Sequence, residues 1–159
     1  MAEVGVDAVT KMWGAVAAVE RVSFAGEAGR FLALLGPSGC GKSTMLRLIA
    51  GLEEPTSGRI AIAGRDVTSA PPARRGVAMV FQNYALFPHL SVAENILFGM
   101  EVRKAPRAER EERLAWAVEL LRLKGLLDRK PGQLSGGQQQ RVALGRAIVA
   151  QAPVCLMDE

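Results

Sequence analysis

Phe31-Leu32-Ala33-Leu34-Leu35-Gly36-Pro37-Ser38-Gly39-Cys40-Gly41-Lys42-Ser43-Thr44 is an apolar run followed by a glycine, four residues and then Gly-Lys-Ser. The run Phe31–Leu35 predicts a buried strand, and the helix is predicted to open near Gly41. Between them Gly36, Gly39 and Gly41 lack the Cβ that would hold a charged ligand away from the backbone at tight bends. Consecutive amides and the positive end of a helix macrodipole cradle an anion there. Pro37, Ser38 and Cys40 complete the loop, Lys42 adds a mobile point charge, Ser43 offers an oxygen to Mg²⁺, and Thr44 adds a second hydroxyl. A glycine turn that only joins a strand to a helix does not call for Gly-Lys-Ser-Thr in frame behind such a run.

Around this unit the sequence is punctuated by glycine. Val16 to Phe24 and Arg59 to Ala63 read as short strands of a small antiparallel layer, bounded by Gly5, Gly14, Gly26, Gly58 and Gly64. A helix from about Lys42 to Ala50 is closed by Gly51 and Pro55. Val77 to Phe81 is a compact apolar run that reads as a buried strand ending at Gln82. From Asn83 to about Lys130 helical periodicity replaces strands, as in a helical insertion. Ser91-Val92-Ala93-Glu94 is a capping box, and Arg107 to Leu123 carries Leu114, Ala117, Val118 and Leu121 on one stripe, with Glu109 and Arg113 one turn apart. Trp116, Leu120 and Leu123 widen that stripe and are expected in a core.

Pro131-Gly132 then breaks the chain, and Leu134-Ser135-Gly136-Gly137-Gln138 opens a helix expected over Gln139 to Ala150. By itself this fragment is simple capping; with a phosphate loop upstream it becomes a second anion-binding helix start, and the pair points to ATP. Val154 to Met157 reads as a buried strand delivering Asp158 and Glu159 at its carboxyl end, where ligands of open α/β sheets collect. Two adjacent carboxylates there suit metal and proton chemistry.

The composition is that of one ordinary domain: 159 residues, 49% hydrophobic and 23% charged, with a net charge of +4 spread over segments that also contain acids. Such a balance makes no case for nucleic acid. No apolar stretch approaches the ~20 residues that span a bilayer, and Met1-Ala2-Glu3-Val4 lacks the order of a secretory signal, so a cytosolic chain is expected. Cys40 and Cys155 suggest neither a disulfide framework nor a metal site.

Taken together these motifs resemble the ATP-binding cassette of ABC transporters, over nearly the whole length. Gly36–Thr44 matches the Walker A loop, Gln82 the Q-loop glutamine, Leu134–Gln138 the cassette signature, and Val154–Glu159 the Walker B strand with its following glutamate. Trp13 stands where such cassettes carry an aromatic residue that stacks on adenine, the alternative to that role being an ordinary packing aromatic. The segment Val80 to Ile96 resembles bacterial importers. Leu127-Asp128-Arg129-Lys130-Pro131 resembles the cassettes of sugar and glycerol-phosphate importers, a pattern that polyamine and some anion importers share in large part.

The resemblance implies an α/β, P-loop NTPase (RecA-like) core with an N-terminal antiparallel β layer, a helical insertion and an incomplete sheet at the C-terminus. The division it suggests is 1–82 for the β layer and first part of the core, 83–136 for the helical subdomain, and 137–159 for the return to the core. It implies ATP hydrolysis with Mg²⁺. Lys42 and the loop amides would hold the β- and γ-phosphates. Ser43, Gln82 and Asp158 would serve the metal, and Glu159 would polarise the attacking water. Ser135, Gly136, Gly137 and Gln138 would serve the nucleotide of a second, head-to-tail copy. Tyr84 to Leu90 would face a transporter's transmembrane subunits at the inner face of the cell membrane, with an extracytoplasmic solute-binding protein as an indirect partner.

The chain stops at Glu159, short of the D-loop and switch histidine of the family; its one histidine, His89, does not fill the latter place. A truncated or degenerate cassette is therefore expected, with the phosphate-loop strand and the last strand unpaired and turnover weak or absent. Two other functions fit parts of the pattern: a non-transport ABC ATPase acting on nucleic acid or ribosomes, and a nucleotide-binding module without turnover.

Overall fold

The structure, a computed structural model, describes residues 3–158, so Glu159 lies outside the described residues. Its elements fall into two compact units, 3–79 with 153–158, and 80–152.

In the first unit a four-stranded antiparallel sheet runs in the order β2-β1-β3-β4, with β1 at Val4–Trp13, β2 at Val16–Gly26, β3 at Ser57–Ile62 and β4 at Arg65–Asp66. The antiparallel layer expected from β2 and β3 is present, but its central strand is β1, which the sequence reading did not recognise. Polar Asp7, Thr10 and Lys11 interrupt the alternation there, and pairing on both sides supplies the order that local pattern withholds: Val6 faces Phe24 on one side and Ile60 on the other. Helix α1, Lys42–Ala50, packs Met45, Leu48 and Ile49 into a core with Val6, Val9, Val19, Ile60 and Ile62. β5, Val77–Val80, and β6, Val154–Met157, form a separate two-stranded sheet. Val154 and Leu156 of β6 join the same core.

Two expectations about strands need correction. Phe31–Leu35 is irregular instead of a buried strand: Phe31 is 88% and Leu35 90% exposed, and Leu34 alone packs against the core. A strand needs a hydrogen-bonded neighbour, and no strand among the described residues runs beside this segment. The last strand, expected to be unpaired and buried on both faces, is instead paired with β5, and it alternates, with Val154 and Leu156 inside and Cys155 and Met157 exposed.

The second unit is helical: α2 at Val92–Val102, α3 at Arg107–Leu120 and α4 at Gly136–Ala150. α4 groups with α2 and α3 by contact, whereas the sequence division placed it with the core. Val92, Ile96 and Met100 of α2, Ala117 of α3 and Val142 and Val149 of α4 form the core, sealed by Leu123 and Leu134. Trp116 and Leu120, expected inside, are exposed; Ala117, Leu123 and the partly buried Leu114, Val118 and Leu121 fill the available interface. The Glu109–Arg113 ion pair forms on α3 as its spacing requires.

Candidate functional site

The phosphate loop joins Leu35 to α1, and the start of that helix is unlike those of α2 and α4. Ser91 and Ser135 cap the latter two through reciprocal side-chain and backbone bonds, whereas Gly41 caps α1 with φ 92° and no side-chain hydrogen bond. First-turn amides of α1 thus meet no capping oxygen, and the helix dipole adds positive potential at the same place. A Cβ on Gly41 would stand 2.3 Å from the Ala18 carbonyl oxygen and 3.0 Å from Val19 Cγ2, so glycine is required by contact as well as by φ. The same contact shows that β2 backs directly onto the loop. On the loop itself, Lys42 Nζ donates to Gly36 O at 2.8 Å and Pro37 O at 2.7 Å, with Cys40 Sγ 3.6 Å away. The ammonium is thereby held over the anion cradle by two neutral acceptors that a phosphate oxygen outcompetes.

Ser43 and Asp158 are 115 residues apart in sequence and in contact in space: Ser43 Oγ donates to Asp158 Oδ1 at 2.6 Å. α1 places the serine one residue past the lysine, and β6 delivers the buried aspartate at its carboxyl end. A hydroxyl and a carboxylate are hard oxygen donors, the set that suits Mg²⁺. No group of three His, Cys, Asp or Glu side chains gathers among the described residues.

Trp13 ends β1 at the β1–β2 hairpin, paired with Val16, and the residue is 52% exposed. Because Ala18 and Val19 of the same hairpin touch Gly41, the exposed indole belongs to the strand pair that carries the loop. Lys11 Nζ lies 4.3 Å from the centre of that ring.

The remaining predicted residues belong to the helical unit. Gln82 follows β5 and opens a segment held in an unusual backbone path, with Tyr84 at φ 62° and Ala85 at φ 45°. Two residues missed from sequence hold it there. Asn95, fully buried, donates from Nδ2 to the carbonyls of Phe87, Leu90 and Ser91 and accepts from Phe87 N, so one side chain templates the whole bend. Arg146 donates from Nη1 to Ala85 O at 2.5 Å and lies 4.9 Å over the Phe87 ring; burial pushes its pKa below the ordinary arginine value. The signal for Asn95 was available, since an amide interrupts the apolar stripe of Val92, Ile96 and Met100 and needs a partner if buried.

Ser135 accepts from Gln138 N at 3.3 Å, and Gln138 Oε1 accepts from Ser135 N at 2.9 Å, so both signature residues close the cap of α4. Gly136 and Gly137 have open space where a Cβ would be, so nothing among the described residues requires their lack of one. Their amides at a helix start are free to be approached from outside.

An uncapped, glycine-lined helix start with an adjacent lysine, a Ser–Asp pair and a second glycine-flanked helix start defines a nucleotide-binding P-loop protein. Residues 19–159 match the family model described as ABC transporter, and the chain belongs to that family. It is 52% identical over 159 residues, all of this chain and 46% of the relative, to the sn-glycerol-3-phosphate import ATP-binding protein UgpC of Cereibacter sphaeroides. It is 58% identical over 146 residues, 92% of this chain and 38% of the relative, to the spermidine/putrescine import ATP-binding protein PotA of Acidothermus cellulolyticus. The chain thus spans less than half the length of these curated relatives. Its fold matches the ATP-binding cassette MJ0796, solved in a dimeric post-hydrolysis state bound to ADP and Pi, with a TM-score of 0.88 and 33% identity over 98% of this chain and 73% of that one.

Proposed function

We propose that this chain is the ATP-binding and ATP-hydrolysing portion of an importer subunit. The observation that carries the reading is the Ser43–Asp158 hydrogen bond beside an uncapped α1. Lys42 turns from the Gly36 and Pro37 carbonyls to the β- and γ-phosphates, and the loop amides fix their orientation. Ser43 would ligate Mg²⁺, and Asp158 would orient that serine through their hydrogen bond. Mg²⁺, when bound, neutralises charge on the transferring phosphoryl group. Glu159 takes the proton of the attacking water, and Gln82 reports the phosphate state to the segment that Asn95 and Arg146 shape.

The relatives' names, import ATP-binding proteins, support transmembrane subunits as partners, and the dimeric neighbour supports a second cassette. The Ser135–Gln138 helix start of that second copy would close on this nucleotide, with an extracytoplasmic binding protein as an indirect partner. The site would work from the inner membrane face through those subunits; among the described residues no helix is long and apolar enough to cross a membrane. We assign the cargo to sugars or glycerol phosphate. A polyamine importer is the second reading, favoured by the 58% identity to PotA.

Thermal unfolding with and without Mg-ATP tests this. A ligand at 100 times its Kd adds about 2.7 kcal/mol, which raises the midpoint of a chain this size by roughly 5–10 °C. The shift is expected in the parent and not in Lys42→Ala; equal shifts in both would refute the site.

A further inference from the structure

The side chain of Lys11 makes three contacts that share one purpose. Its ammonium lies 4.3 Å from the centre of the Trp13 ring, donates to Glu54 O at 2.8 Å and pairs with Glu53 Oε2 at 3.5 Å. Lys11 and Trp13 are two apart on β1 and therefore share a face of the strand. Glu53 and Glu54 follow Gly51, which closes α1, and the same loop is tied again to β1 by Thr56, which donates to Thr10 O at 2.8 Å and accepts from Met12 N at 2.9 Å. At the other end of α1, Gly41 rests on Ala18 and Val19 of β2. The hairpin carrying Trp13 is thus fastened to both ends of the helix that follows the phosphate loop.

Lys11 is well covered, while Trp13, at the hairpin end, is half exposed. An indole otherwise free to swing about two torsions is held by a cation on one of its faces, which leaves the opposite face for a flat partner. We propose that Lys11 is a positioning residue that locks Trp13 as a stacking platform for the purine base, and so sets affinity for the base separately from affinity for the phosphates. This rests on the nucleotide-binding reading above and deepens it. Lys11 touches no nucleotide atom; it acts through the indole.

The test compares ATP with inorganic tripolyphosphate, which keeps the phosphates and lacks the base, in a Trp116→Phe background where Trp13 is the single tryptophan. Affinities come from competition and from quenching of Trp13 emission. Lys11→Met is expected to weaken ATP binding roughly three- to tenfold, to leave tripolyphosphate binding unchanged, and to shrink the emission change on ATP binding. Lys11→Arg, which keeps a cation over the ring, is expected to restore most of the ATP affinity. Equal weakening of both ligands would mean a general structural role and would overturn the proposal, as would an ATP affinity within twofold of the parent. Trp13→Ala separates the layers. If it loses ATP affinity while Lys11→Met does not, the platform stands and the positioning role fails. If Trp13→Ala leaves both ligands unaffected, the base platform itself fails, and the positioning role with it. Absence of tripolyphosphate binding in the parent would instead refute the phosphate site.

Discussion

Arg75 is nearly inaccessible, and its guanidinium donates to four carbonyls: Leu48 at 2.7 Å, Ile49 at 3.1 Å, Ala70 at 2.8 Å and Thr68 at 2.9 Å. Two of these close the C-terminal turn of α1, where a cation also meets the negative end of the helix dipole. Gly51 makes room for it: with φ 79°, a Cβ there would stand 2.4 Å from Arg75 Nε. Burial pushes the arginine pKa down from its ordinary value, but the charge is retained because carbonyl dipoles replace water. Arg75→Met keeps the packing of the stem and removes the fork. Leu48 O keeps a bond from Gly51 N, whereas the carbonyls of Ile49, Thr68 and Ala70 lose the donors described here. At about 1.5 kcal/mol for each of three charge-assisted bonds, partly offset by relief of guanidinium desolvation, the net loss is about 3 kcal/mol. For a chain of this size that lowers the unfolding midpoint by roughly 6–12 °C. Arg75→Lys, with one compact ammonium for three separated acceptors, should lose about half as much. The assay is thermal unfolding followed by circular dichroism, with hydrogen exchange at residues 49–52 locating the effect. A midpoint within about 2 °C of the parent for Arg75→Met, or unchanged exchange at the end of α1, would refute this account.

Gly41→Ala forces a Cβ against Ala18 O at a φ that side chains rarely adopt; a loss of about 1–3 kcal/mol in denaturant unfolding and disappearance of the Mg-ATP shift are expected. Ser43→Ala leaves buried Asp158 without the hydroxyl that donates to it, so dependence of the thermal shift on Mg²⁺ should weaken while the shift with metal-free ATP persists in part, as read by titrating Mg²⁺. Glu94 accepts from Ser91 N at 2.6 Å, and this bond holds its carboxyl below the ordinary glutamate value. A depressed folded-state pKa contributes stability that is present above the ordinary carboxyl range and lost as pH falls through the folded value. Glu94→Gln should therefore unfold more easily than the parent near neutral pH, and the two should converge in acid; a constant difference across that range would contradict the charge-based cap.

The parts legible in sequence were those whose hydrogen bonds close within a few residues. The boxes at Ser91–Glu94 and Ser135–Gln138, the start of α1 at Lys42 and its end at Gly51 all appear where local chemistry placed them. Less legible were residues whose partners come from distant segments. Arg75 and Asn95 each satisfy several carbonyls, yet an arginine before a strand or an asparagine in a helix names no acceptor in advance. Trp116 shows the opposite failure: a helical stripe tells which face is apolar but not how wide the neighbouring helices are, and here Ala117 takes the interface while the indole stays exposed.

By itself the sequence determined the phosphate loop, the order of the site motifs and the start of each capped helix, because glycine conformation, capping and dipole act within one turn of chain. Tertiary structure alone decided that β1 is the centre of its sheet, that Ser43 meets Asp158 across 115 residues, that Lys11, tied to the loop after α1, lies over Trp13, and that Phe31–Leu35 is no strand. Strand order and long-range pairs depend on which backbone edges find a partner, and apolar character says only that a segment can pair, never with what.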